Sequence, residues 1–186
     1  MILRTASKLV RGVVEIVIII IAALIISAVV RAFVVETYEV PTGSMEPTIE
    51  VGDRILSQRI AYYKGTPQPG DIVTFSDPIE PDRTLVKRTI AVAGDTVDIS
   101  DGNLYINGEL QDEPYTHGQP TEPLASYDLS LTISYPYTIP DGYIWVMGDN
   151  RTNSADSRYF GPVKESVVSG KVFLRYWPFD RFGKVE

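Results

Sequence analysis

An apolar run over residues 13–30 limits what this chain can fold into more than any other feature of its sequence. The run holds 18 residues, and its only polar members are Glu15 and Ser27. At 1.5 Å per residue, a helix of this length reaches about 27 Å, close to the thickness of a bilayer's hydrocarbon core. The run therefore predicts one transmembrane helix, and we assign residues 13–31 to this anchor.

Charged residues on either side of the run predict its orientation. Arg4, Lys8 and Arg11 precede it, whereas acidic residues soon follow it. Because positively charged flanks stay on the cytoplasmic side, we expect residues 1–12 in the cytoplasm and residues 32–186 outside it. The prediction is a single-pass protein of the plasma membrane. Its outer part, about 150 residues, is long enough to bury a core of its own.

A cleavable signal peptide is the alternative interpretation of the same run. Its apolar region normally covers only about 7–15 residues and leads to a cleavage site with small residues at the −3 and −1 positions. Here Ile26 and Val30 would occupy the −3 positions for cleavage after Ala28 and Ala32. Since neither Ile nor Val is small, we favour an anchor that is not cleaved.

Composition excludes several kinds of chemistry. The chain has no cysteine and a single histidine, His117, which rules out disulfides, thiol nucleophiles and cysteine-based metal sites. The formal net charge is −7, whereas a nucleic-acid-binding protein needs a basic surface. We therefore expect no metal, no cofactor and no nucleic-acid partner.

Signals for β-strands dominate from residue 33 onward. Runs of branched and aromatic residues at 71–75, 84–92 and 143–147 are separated by turns rich in glycine, proline and aspartate. Residues 96–106 predict a hairpin around an Asp-Gly-Asn turn at 101–103. The predicted fold class is all-β, built as a barrel or a sandwich.

Residues 112–139 differ from their surroundings. They contain several prolines, and strand-like alternation appears only near residues 129–133. We interpret this stretch as a loop-rich excursion from the core, a place for sequence variation rather than for chemistry.

Ser44 is a candidate nucleophile because it lies in a turn bounded by glycine and proline, residues 41–48, shortly after the apolar run. A serine nucleophile needs a base, and His117 is one candidate. A lysine can also serve if burial lowers its pKa of about 10.4 by ~3–5 units. Lys87 fits this description because it interrupts the hydrophobic strand 84–92. The alternative is an edge-strand lysine that reaches water.

A dense polar segment, residues 148–161, follows the apolar strand 144–147. Its hydroxyl groups could orient an amine, and an Asp–Arg pair could lock the loop beside a catalytic group. A cation-binding loop is the alternative, but the positive charges of Arg151 and Arg158 would repel a cation.

These segments together resemble the bacterial type I signal peptidases, which use a serine and a lysine. The matching motifs, in chain order, are Pro-x-Gly-Ser-Met-x-Pro-Thr at 41–48, Gly-Asp at 52–53, Gly-Asp-Ile-Val-Thr-Phe at 70–75, Lys-Arg at 87–88 with Gly-Asp at 94–95, and Gly-Asp-Asn followed by Ser-x-Asp-Ser-Arg within 148–158. The resemblance covers nearly the whole chain.

The resemblance implies a role for each matching residue. Ser44 would be the nucleophile and Lys87 its general base, with Ser154 hydrogen-bonded to the Lys87 amine. The oxyanion hole would combine the Ser44 backbone N–H with the hydroxyl of Thr42, where many relatives have serine. The stiffer χ1 of threonine makes the geometry of that hydroxyl a point for the structure to resolve.

The resemblance also implies a supporting ion pair and a fold. Asp156 and Arg158 would fix the polar loop, with Asp149 supporting the pair. The fold would be an antiparallel β catalytic domain carrying a smaller, non-catalytic β insertion near residues 96–140.

By the same resemblance, the substrates are signal peptides of exported preproteins, with small residues at the −1 and −3 positions. Cleavage would occur on the outer face of the plasma membrane, against the lipid bilayer and near the export translocon. The substrate-binding residues implied by matching position are Tyr38, Val40, Met45, Ile49 and Val86. Two alternatives stay open: a Ser/Lys protease with another target, and an anchored all-β binding module without catalytic activity.

Overall fold

A computed structural model of the protein describes residues 2–63, 65–128 and 133–185. Most of the alternation predicted at residues 129–133 therefore lies outside the described residues.

The N-terminal element is a long helix, α1, over Ile2–Phe33. Its window Arg11–Ala28 has a mean hydropathy of 2.5, and none of it is buried against the rest of the protein. In length and composition this helix can cross a membrane, as the apolar run predicted. One residue after its end the chain enters the first strand, so the helix leads directly into the β domain.

The larger sheet has eight strands. They are β1 Val35–Glu39, β2 Arg54–Gln58, β3 Ile72–Ser76, β4 Thr84–Val92, β9 Tyr143–Met147, β10 Val163–Lys164, β11 Val168–Trp177 and β12 Gly183–Lys184. Seven of them follow the order β1-β2-β11-β3-β4-β9-β10, and β12 pairs with β11. All pairs are antiparallel. Register shifts in β4 and β11 increase the local twist, and the sheet curls into a half-barrel.

A second, smaller sheet follows β4 along the chain. Its strands are β5 Thr96–Ser100, β6 Asn103–Ile106, β7 Glu109–Leu110 and β8 Tyr137–Thr138, in the order β7-β6-β5-β8. β5 and β6 form the predicted hairpin. Asp101 and Gly102 at its tip both have positive φ, 51° and 77°, as a two-residue type I′ turn requires. These strands fall within the predicted insertion, whose non-catalytic status stays a prediction.

The two sheets share a core because β9 points alternate side chains to opposite faces. Trp145 and Met147 pack with Ile99 and Leu104 of the small sheet, whereas Ile144 belongs to a separate cluster on the other face of the large sheet. Burial of each such side chain contributes roughly 1.5–3 kcal/mol. The predicted class is confirmed: the fold is all-β, antiparallel and partly closed, with one N-terminal helix.

Candidate active site

The loop between β1 and β2 carries Ser44 in a tight turn. The Ile49 N–H donates to the Met45 carbonyl at 2.9 Å, and both side chains are buried in a core cluster beneath the turn. From the other side, Asn150 Nδ2 donates to the Gly43 carbonyl at 2.9 Å. The serine is therefore held between the core of the large sheet and the polar loop that follows β9.

Lys87 meets Ser44 at this turn. Its Nζ donates a hydrogen bond to Ser44 Oγ at 2.7 Å and a second one to the Val86 carbonyl at 3.1 Å. Lys87 is only 3% exposed, which overturns the interpretation of an edge-strand lysine reaching water. β4 brings it to the site, 43 positions along the chain from the serine.

Burial lowers the pKa of Lys87 to about 8, while the carboxylate of Asp156 opposes this shift. The cause is the cost of holding a charged amine away from water. A substantial fraction of Lys87 is therefore neutral in mildly alkaline solution, and a neutral amine can accept the proton of a neighbouring hydroxyl.

The predicted ion pair of the polar loop is present. Asp156 accepts hydrogen bonds from Arg158 Nε at 2.9 Å and from Arg158 Nη2 at 2.8 Å. It also accepts from the Gly148 N–H at 3.0 Å and caps the short helix α2, Ser157–Phe160. The pair thus connects both ends of the loop over residues 148–158; its part in the reaction stays a prediction.

Asp149 has partners that the sequence did not indicate. It accepts from Arg88 Nε at 2.9 Å, from Arg88 Nη2 at 2.7 Å and from Thr48 Oγ1 at 2.6 Å. It therefore joins the polar loop to β4 and to the nucleophile's turn, rather than joining the Asp156–Arg158 pair directly. Arg88, like Lys87, is a charged residue inside a hydrophobic strand. The same sequence pattern could therefore have indicated Arg88 as a functional residue.

The predicted hydrogen bond between Ser154 and Lys87 is not formed. Ser154 Oγ is buried and lacks a hydrogen-bond partner within the part of the chain that the structure describes, since the Lys87 amine points to Ser44 and Val86. Ser154 nevertheless lies next to the nucleophile: a Cβ at Gly148 would come within 2.3 Å of Ser154 Oγ and 2.4 Å of the Ser44 carbonyl oxygen. Any side chain at Gly148 would displace one of these two serines.

The other candidates from the sequence take no part in this geometry. His117 is exposed and ends a short 3₁₀ turn, with a φ of 52°. Asp149 and Asp156 each form an ion pair with an arginine. Their carboxylates are therefore poor ligands for a cation, which the arginines would repel. Among the described residues, no group of three or more histidine, aspartate and glutamate side chains is placed to hold a metal ion.

A cavity of about 300 Å³ opens beside the serine and the lysine. Thr42 lies on its wall with Ser44 and Lys87. All the residues assigned to substrate binding by position also line it: Tyr38, Val40, Met45, Ile49 and Val86. The structure thus brings the predicted nucleophile, base, oxyanion hydroxyl and binding residues to one pocket.

Comparison with known proteins identifies the family. The sequence model of the family described as signal peptidase, peptidase S26, matches residues 13–177. This chain belongs to the signal peptidase family. It is therefore a hydrolase of the serine endopeptidase class, and the resemblance drawn from its motifs is confirmed.

Individual signal peptidases align along most of the chain. Signal peptidase IB of Staphylococcus aureus is 36% identical, over 92% of this chain and 93% of its own length. Probable signal peptidase I-2 of a Synechocystis species is also 36% identical, over 88% of this chain and 72% of its own length. A crystal structure of a signal peptidase I from Enterococcus faecalis is 37% identical and covers 56% of this chain and 95% of its own, with a TM-score of 0.46.

Proposed function

We propose that this signal peptidase is a membrane-anchored enzyme that removes N-terminal signal peptides from exported preproteins, with Ser44 as nucleophile and Lys87 as general base. One observation carries the proposal: the buried Lys87 amine lies 2.7 Å from Ser44 Oγ. This distance is within the range over which a base and the proton it removes must meet. The lowered pKa of Lys87 makes the amine a competent acceptor.

The reaction is an acyl transfer in two stages. Ser44 Oγ attacks the carbonyl carbon of the scissile peptide bond while Lys87 accepts the hydroxyl proton. The tetrahedral intermediate then collapses, the C–N bond breaks, and Lys87 gives its proton to the leaving amine. A water molecule, deprotonated by the same lysine, then attacks the ester; its C–O bond breaks, Lys87 returns the proton to Ser44 Oγ, and the carboxylic acid product leaves.

Two donors stabilise the negative oxygen of the intermediate: the Ser44 backbone N–H and the Thr42 hydroxyl. Thr42 is exposed on the cavity wall, so its hydroxyl can turn toward a bound substrate. A donor aimed at the position where charge develops contributes about 3–4 kcal/mol to lowering the barrier.

Charged pairs around the dyad hold it in place. Asp156 with Arg158 and Asp149 with Arg88 are buried and join the polar loop to β4 and to the nucleophile's turn. Ser154 acts on the base itself: its buried hydroxyl, which has no partner among the described residues, accepts from the Lys87 amine once Ser44 Oγ has turned to the substrate. Because Ser154 replaces Ser44 as its hydrogen-bond partner, the Lys87 amine stays oriented through both stages of the reaction.

Free strand edges on both walls of the cavity suit an extended substrate. Within the described part of the chain, β1 is an edge strand that pairs only with β2, and β4 pairs with β9 only from Arg88 onward. The backbone of residues 84–87 therefore faces the cavity without a neighbouring strand on that side. An extended signal peptide can add between these edges, and apolar walls such as Val40 and Ile49 leave room for small residues at −1 and −3.

The anchor places this chemistry at the membrane surface. The exposed apolar window of α1 and the basic residues before it support a single pass through the plasma membrane, with the N-terminus in the cytoplasm and the catalytic domain outside. The active site then lies near the bilayer and the export translocon. A binding module without catalytic activity gives no reason to bury a lysine beside a serine.

Cleavage of a purified preprotein by the full chain in lipid vesicles tests the proposal. Ser44→Ala and Lys87→Met should each lower kcat/KM by at least about 10⁴-fold, as expected when a nucleophile or its base is removed. Lys164→Met is a matched control, since Lys164 is an exposed strand lysine that does not line the cavity, and it should cleave at the wild-type rate. His117→Ala should do the same. If Lys87→Met stayed active and His117→Ala did not, the base would be misassigned.

A further inference from the structure

A segment attached to the small sheet reaches the polar loop of the active site. Arg151 of that loop is fully buried, and it donates to both carboxylate oxygens of Glu113, from Nη1 at 2.7 Å and from Nη2 at 2.6 Å. Its Nη1 also donates to Thr121 Oγ1 at 2.6 Å. Glu113 and Thr121 both belong to the stretch that the sequence presents as a loop-rich excursion.

The position of Arg151 is coupled to the backbone beside the nucleophile. Its Nε donates to the Gly148 carbonyl at 3.0 Å, and its own carbonyl accepts from Arg158 Nη2 at 2.9 Å. Gly148 in turn has no room for a side chain, because Ser154 Oγ and the Ser44 carbonyl oxygen occupy that space. A displacement of Arg151 would therefore be transmitted through Gly148 to the turn that carries Ser44.

Glu113 also reaches the strand of the base, through an aromatic ring. Tyr115 donates its hydroxyl to Glu113 Oε1 at 2.9 Å, and its ring covers the guanidinium of Arg88, 4.1 Å from the ring centre. A cation over an aromatic face is attracted electrostatically. Since Arg88 follows Lys87 directly in β4, the same carboxylate supports the neighbours of both catalytic groups.

The negative charge of Glu113 is what makes its contact with Arg151 important. Glu113 is the one acidic partner of Arg151 among the described residues, and the remaining acceptors around the guanidinium are neutral oxygens. A buried arginine without its carboxylate is strongly destabilised and moves or admits water. The geometry points to Glu113 as a positioning residue that keeps the Ser44–Lys87 pair aligned, an inference that rests on the catalytic roles proposed above.

The test compares two glutamates of the same region in the full chain. Glu113→Gln removes the charge that Arg151 requires, and Glu109→Gln removes the charge of an exposed strand residue. We expect Glu113→Gln to lower kcat by about 10- to 100-fold, the scale expected when reacting groups are displaced by roughly 1 Å. KM should change little, because Glu113 does not line the substrate cavity. Glu109→Gln should match wild type.

Two further readouts separate positioning from a loss of folded protein. Rates are expressed per folded molecule, measured by near-ultraviolet circular dichroism, and Glu113→Asp, which keeps the charge, should recover part of the lost kcat.

A kcat per folded molecule within about three-fold of Glu109→Gln, whatever the melting temperature, would overturn the inference. If Glu113→Gln does not fold, Glu113→Asp decides in its place: its shorter side chain cannot hold both the Arg151 guanidinium and the Tyr115 hydroxyl at their present distances, so a kcat per folded molecule equal to that of Glu109→Gln would overturn the inference. Ser44→Ala is run alongside. Activity in Ser44→Ala would count against the proposed dyad, whereas an inactive Ser44→Ala with a fully active Glu113→Gln would count against the positioning role alone.

Discussion

Two regions of this signal peptidase use the same ion-pair chemistry in opposite surroundings. In the polar loop, Arg158 and Asp156 lie 2.8 Å apart with side chains 1% and 0% exposed. At the β1–β2 edge, Arg54 and Glu39 lie 3.3 Å apart with side chains 50% and 66% exposed. The distances differ by half an ångström, but the exposure differs almost completely.

The difference in exposure decides what each pair does. An exposed pair is screened by water and salt and contributes at most about 1 kcal/mol. A buried pair adds little stability over a well-packed apolar pair, yet losing one partner leaves a charge without compensation and costs about 3–5 kcal/mol. Two of the buried pairs, Asp156–Arg158 and Asp149–Arg88, belong to the polar loop beside the Ser44–Lys87 pair, so their contribution is best understood as holding a geometry rather than as adding stability.

The largest effect is expected from breaking the buried pair. Asp156→Asn keeps the shape of the side chain but leaves Arg158 without a negative partner. We expect the free energy of unfolding to fall by about 3–5 kcal/mol, measured by urea unfolding of the full chain in detergent with tryptophan fluorescence as the signal, to which buried Trp145 and the more exposed Trp177 both contribute. The double variant Asp156→Leu with Arg158→Met should recover part of the loss. An unchanged unfolding midpoint in Asp156→Asn would show that burial does not control the strength of this pair.

Thr42 provides a contrast, since it is exposed and yet proposed to act on the transition state. Thr42→Val removes the hydroxyl at nearly constant shape and should lower kcat by about 10²-fold, with KM almost unchanged, because the lost hydrogen bond exists only while charge develops. Its unfolding free energy should stay near the wild-type value. Thr42→Ser, which keeps the hydroxyl, should retain activity. If Thr42→Val cleaved at the wild-type rate, another donor would have to complete the oxyanion hole.

Local patterns in the sequence predicted much of this structure. The apolar run predicted α1, the Asp-Gly turn predicted the hairpin of β5 and β6, and a lysine inside the apolar strand 84–92 pointed to a buried base. Each of these depends on neighbours a few residues apart, where hydrophobic periodicity and turn chemistry act directly. The order of strands in the large sheet depends on pairings distant in sequence, such as β2 with β11, and no local pattern encodes it.

The sequence indicates which charged residues are important more readily than it indicates the residues they bind. Asp149 was expected to support the Asp156–Arg158 pair, but it binds Arg88, 61 positions away. Glu113 lies in a proline-rich stretch that looks like a spacer, and its partner Arg151 is 38 positions away. Ser154 lies next to the nucleophile's turn, but the hydrogen bond to the Lys87 amine that the resemblance implied is not formed. Such contacts are set by packing, which the sequence does not display.

The pH dependence of cleavage tests the burial of Lys87 directly. Its pKa is lowered to about 8 by burial, and only the neutral amine can accept the serine proton. The kcat/KM of the wild type should therefore level off above about pH 8 and fall close to ten-fold per pH unit below it. Lys164→Met should follow the same curve, because Lys164 is exposed and lies outside the cavity. An activity that stayed flat down to pH 5 would show that another group accepts the proton.

The smallest effect on stability is expected for the exposed pair of Arg54 and Glu39. Arg54→Gln leaves Glu39 in contact with water, so the free energy of unfolding should change by less than about 1 kcal/mol, and less still in high salt. The same urea titration used for Asp156→Asn measures it. Combining Arg54→Gln with Glu39→Gln in a double-mutant cycle gives the coupling energy of the pair alone. If this coupling equalled that of Asp156 with Arg158, exposure would not be what distinguishes the two regions, and the charges around the dyad would need another explanation for their burial.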